Sequence, residues 1–211
     1  MTALPYARGL AVGVDEINRR NGVRTVWNNA TTDNVRRLAE CLTSGSPKWG
    51  VLLLGGTGNG KTTLMRAFQY THNAICALHY YDSPEGKCVM PGFTIATARE
   101  IADAAKGRPS DYESYFRKPL LGIDDLGTEP GEVYHFKNLI RPVAELLEYR
   151  YQQKLFTFVT TNLRNKRPLT ADGEPDTEQP EGIAERYGER VLDRLREMMH
   201  VIPFRNGSYR K

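Results

Sequence analysis

Short apolar runs alternate with amphipathic segments along most of the chain. Continuous aliphatic or β-branched runs predict buried strands, whereas apolar residues spaced by three and four positions predict helices. The predicted strands are residues 51–54, 92–98, 120–123, 156–161 and 200–204. The predicted helices are residues 35–42, 61–71, 99–106, 133–154 and 183–199. This alternation indicates an α/β fold with a five-stranded parallel sheet covered by helices on both faces.

Three other segments have weaker patterns. Residues 1–30 are mixed in polarity, so we expect an N-terminal arm or peripheral layer, with the main domain spanning residues 31–211. Pro142 lies inside the long helix predicted at 133–154 and is a candidate for a kink. Residues 164–182 are polar and rich in proline and glycine, which predicts a mobile loop.

The composition favours a single globular domain and argues against a disulfide-rich or membrane-spanning protein. The chain has 211 residues, 40% of them hydrophobic and 26% charged, which suits one globular domain. A formal charge of +4 is compatible with a polyanionic partner, but it is also common in proteins that bind no nucleic acid. Cys41, Cys76 and Cys88 are odd in number and lack CxxC spacing, which favours reduced thiols over disulfides or a zinc site. No apolar run is long enough to span a bilayer, so we expect a soluble cytoplasmic protein.

The segment between the first strand and the following helix matches the pattern GxxxxGK[ST]. It reads GGTGNGKT from Gly55 to Thr62. Glycines let the backbone wrap an anion with its N–H groups, the lysine reaches the β- and γ-phosphates, and the hydroxyl binds magnesium. An ordinary glycine-rich turn is the alternative. The candidate nucleotide-binding residues are Gly56, Thr57, Gly58, Asn59, Gly60, Lys61, Thr62 and Thr63.

Polar residues follow two other predicted strands. Asp124 and Asp125 end the run LLGIDD, and we expect Asp124 to bind magnesium with Thr62. Asp125 is a candidate for orienting or deprotonating the attacking water, with a turn or helix cap as the alternative. Asn162 ends the run TFVTTN and is a candidate for holding that water, although asparagine is also common in turns.

The last long helix carries three arginines at a spacing of four residues. Arg186, Arg190 and Arg194 would share one face of a continuous helix. Ion pairs with the neighbouring Glu189 and Asp193 would make that face an ordinary solvated surface.

Taken together, the motifs resemble those of a known family. The runs GGTGNGKTT, LLGIDDLGTEP, TFVTTN, YGERVLDRL and HVIPFRNGSYRK occur in the order found in the DnaC and DnaI helicase loaders, AAA+ ATPases related to DnaA and to IstB-type transposition helpers. The resemblance covers roughly residues 48–211. It implies that Asp124 is the Walker B ligand, Asp125 the catalytic acid and Asn162 sensor 1. It further implies that Arg194 is an arginine finger acting on a neighbour's ATP. We expect no C-terminal helical lid domain after Phe204, which matches the loaders better than other AAA+ branches.

The resemblance also implies a function. We expect an ATP- and Mg2+-dependent ATPase that forms homo-oligomers on single-stranded DNA and acts on a replicative helicase or related machine. Arg99, Lys106 and Arg108 are the candidate DNA-facing residues, although a solvated helix end would look the same. A transposition helper that binds duplex DNA has the same fold and stays open. A small-molecule P-loop kinase also stays open, because the loop at 164–182 contains Arg164, Lys166 and Arg167.

Overall fold

Five parallel strands form the central sheet of the computed structural model, which describes residues 3–82, 91–136 and 138–209. The strands are β1 (Gly50–Gly55), β2 (Phe93–Thr97), β3 (Leu120–Leu126), β6 (Phe156–Thr161) and β7 (Met199–Phe204). Their order across the sheet is β2-β3-β6-β1-β7. Each strand overlaps one predicted from the sequence, so the predicted α/β class and parallel sheet are confirmed.

Helices cover both faces of the sheet, also as predicted. One apolar core joins the sheet to α1 (Ala3–Arg20), α2 (Asn29–Thr43) and α3 (Lys61–Asp82). The other joins it to α4 (Ala98–Gly107), α5 (Pro109–Phe116), α6 (Pro142–Gln152), α7 (Ile183–Tyr187) and α8 (Glu189–Met198). Successive residues of β1 divide between the two cores because side chains alternate along a strand. Val51 and Leu53 pack with the first core, and Leu52 packs with the second.

The N-terminal residues form a long helix that the sequence pattern did not predict. Helix α1 packs against α3 and α2, and it buries Leu10 and Val14 in the first core. Gly13 allows close contact between helices, since a Cβ there would lie 2.8 Å from the carbonyl oxygen of Ala67. Helix α3 continues to Asp82, beyond the predicted end at residue 71. Cys88 lies outside the described residues.

The single helix predicted at 133–154 is wrong. A β-hairpin of β4 (Val133–His135) and β5 (Asn138–Ile140) occupies its first part. Pro142 is not a kink but the first residue of α6, where its missing N–H costs no intrahelical hydrogen bond. Phe136 has a φ of 46°, which helical geometry does not allow.

Two further boundaries differ from the sequence-based expectations. The helix predicted at 183–199 is divided at Gly188, whose φ of 92° separates α7 from α8. Pro109 ends α4 as expected but also begins α5, which the sequence analysis did not predict. Residues 164–182 contain no helix or strand, only an isolated bridge between Leu169 and Pro175, and their mobility stays a prediction.

A fully buried arginine on α6 forms hydrogen bonds with residues at the amino ends of β3 and β6. Arg150 Nε donates to Thr157 Oγ1 at 2.9 Å. Its terminal nitrogens donate to the main-chain oxygens of Tyr115, Lys118, Pro119 and Phe156. Burial lowers the pKa of Arg150 to about 10, which still leaves the guanidinium charged at neutral pH. Arg150 therefore fixes the ends of β3 and β6 opposite the candidate site.

Among the described residues, none of the helices is both long and apolar enough to cross a membrane. Residues 205–209, the described part of the chain after β7, contain no helix.

Candidate nucleotide-binding site

The carboxyl ends of three neighbouring strands bring the predicted residues together. Strands β3, β6 and β1 are adjacent in the sheet and run in parallel. The phosphate loop follows β1, Asp124 lies near the end of β3, and Asn162 follows β6. Because parallel strands end at the same edge, residues far apart in sequence meet there.

The phosphate loop has the backbone geometry that its glycines predict. Gly58 has a φ of 76° and Gly60 a φ of 97°, a region that L-residues with a Cβ rarely adopt. Helix α3 begins at Lys61, so the positive end of its dipole lies at the loop. Thr62 and Thr63 occupy its first turn. The loop and helix together form the arrangement that binds phosphate in P-loop proteins.

The Lys61 ammonium lies at the centre of the site. The residue is only 5% exposed, and Nζ donates to the main-chain oxygens of Gly55 at 2.8 Å and Gly56 at 2.7 Å. It also contacts Asn59 Oδ1 at 3.1 Å and Asn162 Oδ1 at 2.8 Å. Phosphate oxygens of a bound nucleotide would compete with these neutral oxygens for hydrogen bonds from the ammonium. The contact with Asn162 joins the phosphate loop to the predicted sensor.

Asn162 contacts the loop at a second point. Its Nδ2 donates to Thr57 Oγ1 at 3.3 Å, while its Oδ1 accepts from Lys61. Asn162 therefore contacts the loop at both Thr57 and Lys61, and its role as a sensor stays a prediction.

Asp124 has the environment expected of a magnesium ligand. The residue is 3% exposed, and Oδ1 accepts from Thr62 Oγ1 at 2.9 Å and from Thr160 Oγ1 at 2.5 Å. Among the described residues, no lysine, arginine or histidine forms an ion pair with it. Burying a carboxylate that accepts hydrogen bonds from hydroxyls but forms no ion pair costs free energy, which a bound cation would offset. Thr62 and Asp124 are therefore suited to hold Mg2+ in or next to their coordination shell.

Asp125 lies within an irregularity in the pairing of β3 with β6. The register shifts between Ile123 and Leu126, and Asp125 has a φ of 54°. Its N–H donates to Thr160 Oγ1 at 2.9 Å, and its carbonyl oxygen accepts from Thr128 Oγ1 at 2.9 Å. The irregular backbone turns the two neighbouring aspartates into different surroundings, one buried and one half-exposed. The catalytic role of Asp125 stays a prediction.

The sequence analysis missed two residues that organise this edge. Thr160 contacts both aspartates, donating to Asp124 and accepting from the N–H of Asp125. Buried Glu129 accepts from the N–H of Gly127 at 3.0 Å and from the Tyr187 hydroxyl. Thr160 lies within the run TFVTTN, which the sequence analysis had singled out. No local sequence pattern indicates that Glu129 would contact Tyr187, which is far away in the sequence. Glu129 thereby links the loop after Asp125 to α7.

The arginines do not share one face, because the break at Gly188 places Arg186 on α7 and the other two on α8. Arg186 contacts Glu129 and Glu181. Arg194, with its side chain 16% exposed, lies 3.0 Å from Glu148 Oε2 and 5.0 Å from the centre of the Tyr151 ring, both on α6. Its buried Nη1 makes no hydrogen bond within the described residues, so the pairing with Glu148 is electrostatic only.

The three candidate DNA-facing residues lie along α4 and its end. Arg99 Nη2 donates to the carbonyl oxygen of Thr128 at 3.4 Å, near the start of the helix. Lys106 lies in the last turn and pairs with Asp103 at 3.0 Å, and exposed Arg108 precedes α5. The described contacts do not test a role in DNA binding, which stays a prediction.

Solved structures with the same fold were found by comparison. The crystal structure of the DnaC helicase loader matches 94% of this chain and 99% of its own chain, with a TM-score of 0.56 and 20% identity. The structure of DnaI matches 85% of this chain and 87% of its own, with a TM-score of 0.52 and 19% identity. AMPPCP-bound DnaA from Aquifex aeolicus matches 85% of this chain and 48% of its own, with a TM-score of 0.52 and 14% identity.

No protein-family model and no curated protein sequence matches the chain. The similarity is therefore one of structure, and it agrees with the resemblance seen in the sequence motifs. The chain shares the fold of the DnaC and DnaI structures, a five-stranded parallel sheet covered by helices on both faces.

Proposed function

We propose that this protein is an ATPase of the helicase-loader type, which binds ATP with Mg2+ and forms oligomers on single-stranded DNA. The observation that carries the proposal is the contact network at the sheet edge. Lys61, Thr62, Asp124 and Asn162 come from three strand ends and contact one another directly or through the phosphate loop. An ordinary glycine-rich turn between a strand and a helix does not require a lysine, a buried aspartate and an asparagine to meet beside it.

Each group has a role that follows from its position. Lys61 would exchange its neutral oxygen partners for the β- and γ-phosphate oxygens, and Asn162 would contact the terminal phosphate or the attacking water. Thr62 and Asp124 would hold magnesium, which when bound neutralises charge on the phosphates. Asp125 would accept a hydrogen bond or a proton from the water.

Assembly is the part of the proposal that needs a second subunit. Arg194 contacts α6 in its own chain, so its proposed role as an arginine finger requires release from Glu148. This release would break the pairing with Glu148 and the contact with the Tyr151 ring, but no hydrogen bond from Nη1 within the described residues. A neighbour's triphosphate would offer Arg194 a more highly charged partner.

The experiment is a titration of fluorescent single-stranded DNA with the protein in ATP or ADP at several salt concentrations. We expect tighter binding with ATP, and an affinity that falls steeply with salt because bound cations release counterions. Duplex DNA of the same length serves as the comparison. Tighter binding to duplex DNA would favour a transposition helper. A DNA affinity that changes neither with the nucleotide nor with salt would contradict a DNA-linked role.

The proposal also requires hydrolysis of ATP without an acceptor metabolite. Phosphate release should require Mg2+ and should respond to single-stranded DNA. Transfer of the phosphoryl group to an added metabolite would contradict the proposal and favour the kinase alternative.

A further inference from the structure

The residues that follow β7 contact the backbone of the phosphate loop. We call residues 205–209 the C-terminal tail. The Tyr209 N–H donates to the carbonyl oxygen of Gly58 at 2.9 Å, and Asn206 Nδ2 donates to the carbonyl oxygen of Asn59 at 3.0 Å. Both acceptors are consecutive main-chain groups of the loop. The tail therefore contacts the groups that determine how the loop backbone is oriented.

These two hydrogen bonds fix the direction of the neighbouring N–H groups. In a trans peptide the C=O and N–H groups point in opposite directions, and the described residues contain no cis peptide. Holding the carbonyl oxygen of Gly58 toward the tail thus turns the N–H of Asn59 away from it. Holding the carbonyl oxygen of Asn59 does the same for Gly60. Phosphate loops bind anions through such N–H groups, so the tail orients the groups that contact phosphate.

The tail is itself anchored at several points. The Tyr209 hydroxyl lies 2.8 Å from Thr31 Oγ1 and 3.4 Å from Asn28 Oδ1, at the start of α2. Asn34, also on α2, donates to Asn206 Oδ1 at 3.3 Å. The Tyr209 ring packs over the loop, since a Cβ on Gly60 would lie 3.6 Å from it. Helix α2 therefore supports the tail from the side opposite its contacts with the loop.

The strand before the tail reinforces the same arrangement. Asn59 Nδ2 is within 3.4 Å of the carbonyl oxygen of Phe204, the last residue of β7. A Cβ on Gly55 would lie only 2.5 Å from that oxygen. Glycine at position 55 thus lets the loop begin close enough to β7 for the tail to reach it.

We propose that Asn206 and Tyr209 are positioning residues for nucleotide binding, which hold the phosphate loop with its N–H groups directed at the phosphates. This inference rests on the proposed function, because it assumes that the loop binds ATP. It adds that the nucleotide site extends to the C-terminal tail and to α2. Nucleotide binding and tail docking must then favour each other by the same factor, since coupling between two binding events is reciprocal.

The first test compares Asn206→Ala with Asn138→Ala, an exposed asparagine on the β4–β5 hairpin that serves as the matched control. Loss of one preorganising hydrogen bond should weaken binding of both ATP and ADP by about tenfold, measured by calorimetry at a temperature where both variants are folded. In turnover assays KM should rise while kcat stays near the wild-type value. Asn138→Ala should match the wild type in every measurement.

The tyrosine offers a graded second test. Tyr209→Phe keeps the N–H and the ring and should change affinity by less than about threefold, whereas removal of residues 206–211 takes away both hydrogen bonds and should exceed the effect of Asn206→Ala. Hydrogen exchange provides a readout besides activity. Adding ADP should slow exchange of the Tyr209 amide in the wild type and should do so much less in Asn206→Ala.

Three outcomes separate this inference from the proposed function. Wild-type binding of ATP that is lost in Lys61→Ala and weakened in Asn206→Ala supports both. If Lys61→Ala loses binding but Asn206→Ala and the truncated chain bind as tightly as the wild type, the tail inference alone is overturned. If the wild type binds no nucleotide, both fail.

Discussion

The phosphate loop and the arginine-bearing helix α8 differ in the partners that their functional side chains find within one chain. Lys61, Thr62, Asp124 and Asn162 contact one another at the edge of the sheet. Arg194 instead contacts Glu148 and Tyr151, and its buried Nη1 makes no hydrogen bond within the described residues. Under the proposed function, nucleotide binding is a property of the single subunit, whereas Arg194 acts only when a second subunit is present.

The largest expected effect concerns the arginine. Arg194→Ala should lower hydrolysis by the assembled protein by about three orders of magnitude, because a finger stabilises charge that develops on the transferring phosphoryl group. ATP binding by the isolated subunit should stay unchanged. Arg196→Ala is the matched control, since Arg196 lies on the same helix, is 48% exposed and pairs only with Asp193 among the described residues. Equal rates for the two variants would show that Arg194 has no catalytic role.

Mixing two inactive variants tests whether the finger acts between subunits. In a mixture of Arg194→Ala and Lys61→Ala, the first variant supplies an intact ATP site and the second an intact arginine. Partial hydrolysis should return at their shared interface. If mass measurement confirms mixed oligomers and no activity returns, Arg194 does not act in trans.

A smaller effect is expected from the magnesium ligand. Asp124→Asn should weaken Mg2+-ATP binding by about tenfold to a hundredfold, since it removes the carboxylate charge from the proposed metal position. EDTA should bring the wild type to a similar affinity. Asp103→Asn, an exposed aspartate paired with Lys106, is the control.

Protein stability provides an independent check on Asp124. Buried Asp124 accepts hydrogen bonds from two hydroxyls and forms no ion pair among the described residues, so its charge contributes little to the stability of the nucleotide-free protein. Asp124→Asn should therefore leave its melting temperature unchanged or raise it. A marked loss of stability would mean that Asp124 is a structural residue with a cationic partner and not a metal site.

The smallest expected effect concerns Glu148, the residue that pairs with Arg194 within one chain. Glu148→Gln removes the competing charge, and ATP-dependent assembly should then require up to about fivefold less protein, because a partly exposed ion pair contributes at most about 1 kcal/mol. Sedimentation at increasing protein concentration measures this shift. Glu189→Gln provides a control on α8, since exposed Glu189 pairs with Lys166. Weaker assembly in Glu148→Gln would indicate that the pair supports the interface rather than competing with it.

The sequence predicted the strands and the chemistry at their ends because both are encoded locally. A run of buried β-branched or aliphatic residues predicts each strand, and parallel pairing places the strand ends at one edge of the sheet. The strand order, which makes β3, β6 and β1 neighbours and so brings Lys61, Asp124 and Asn162 together, was not predicted from the sequence. Thr160 was overlooked within a motif that was recognised. Its importance comes from contacts with Asp124 and Asp125 across the sheet.

Segments whose structure depends on distant contacts were predicted poorly. Phe136, Ile140, Val143 and Leu147 have helical spacing, yet only the last two lie in a helix, because Phe136 belongs to a hairpin that packs on α4. Arg150 gave no signal because its partners are mainly main-chain oxygens from three other segments. The tail contacts of Asn206 and Tyr209 likewise involve backbone groups of Asn59 and Gly58, which are distant in sequence.

The central claim is that one chain contains a complete nucleotide site built around Lys61. The most direct measurement is calorimetric titration of Mg2+-ATP into protein kept dilute enough to be monomeric. We expect one site per chain in the wild type and in Lys166→Ala, whose exposed lysine pairs with Glu189. Lys61→Ala should bind at least about a hundredfold more weakly, because a buried triphosphate loses its main cationic partner. Equal affinity in Lys61→Ala and the wild type would contradict the account.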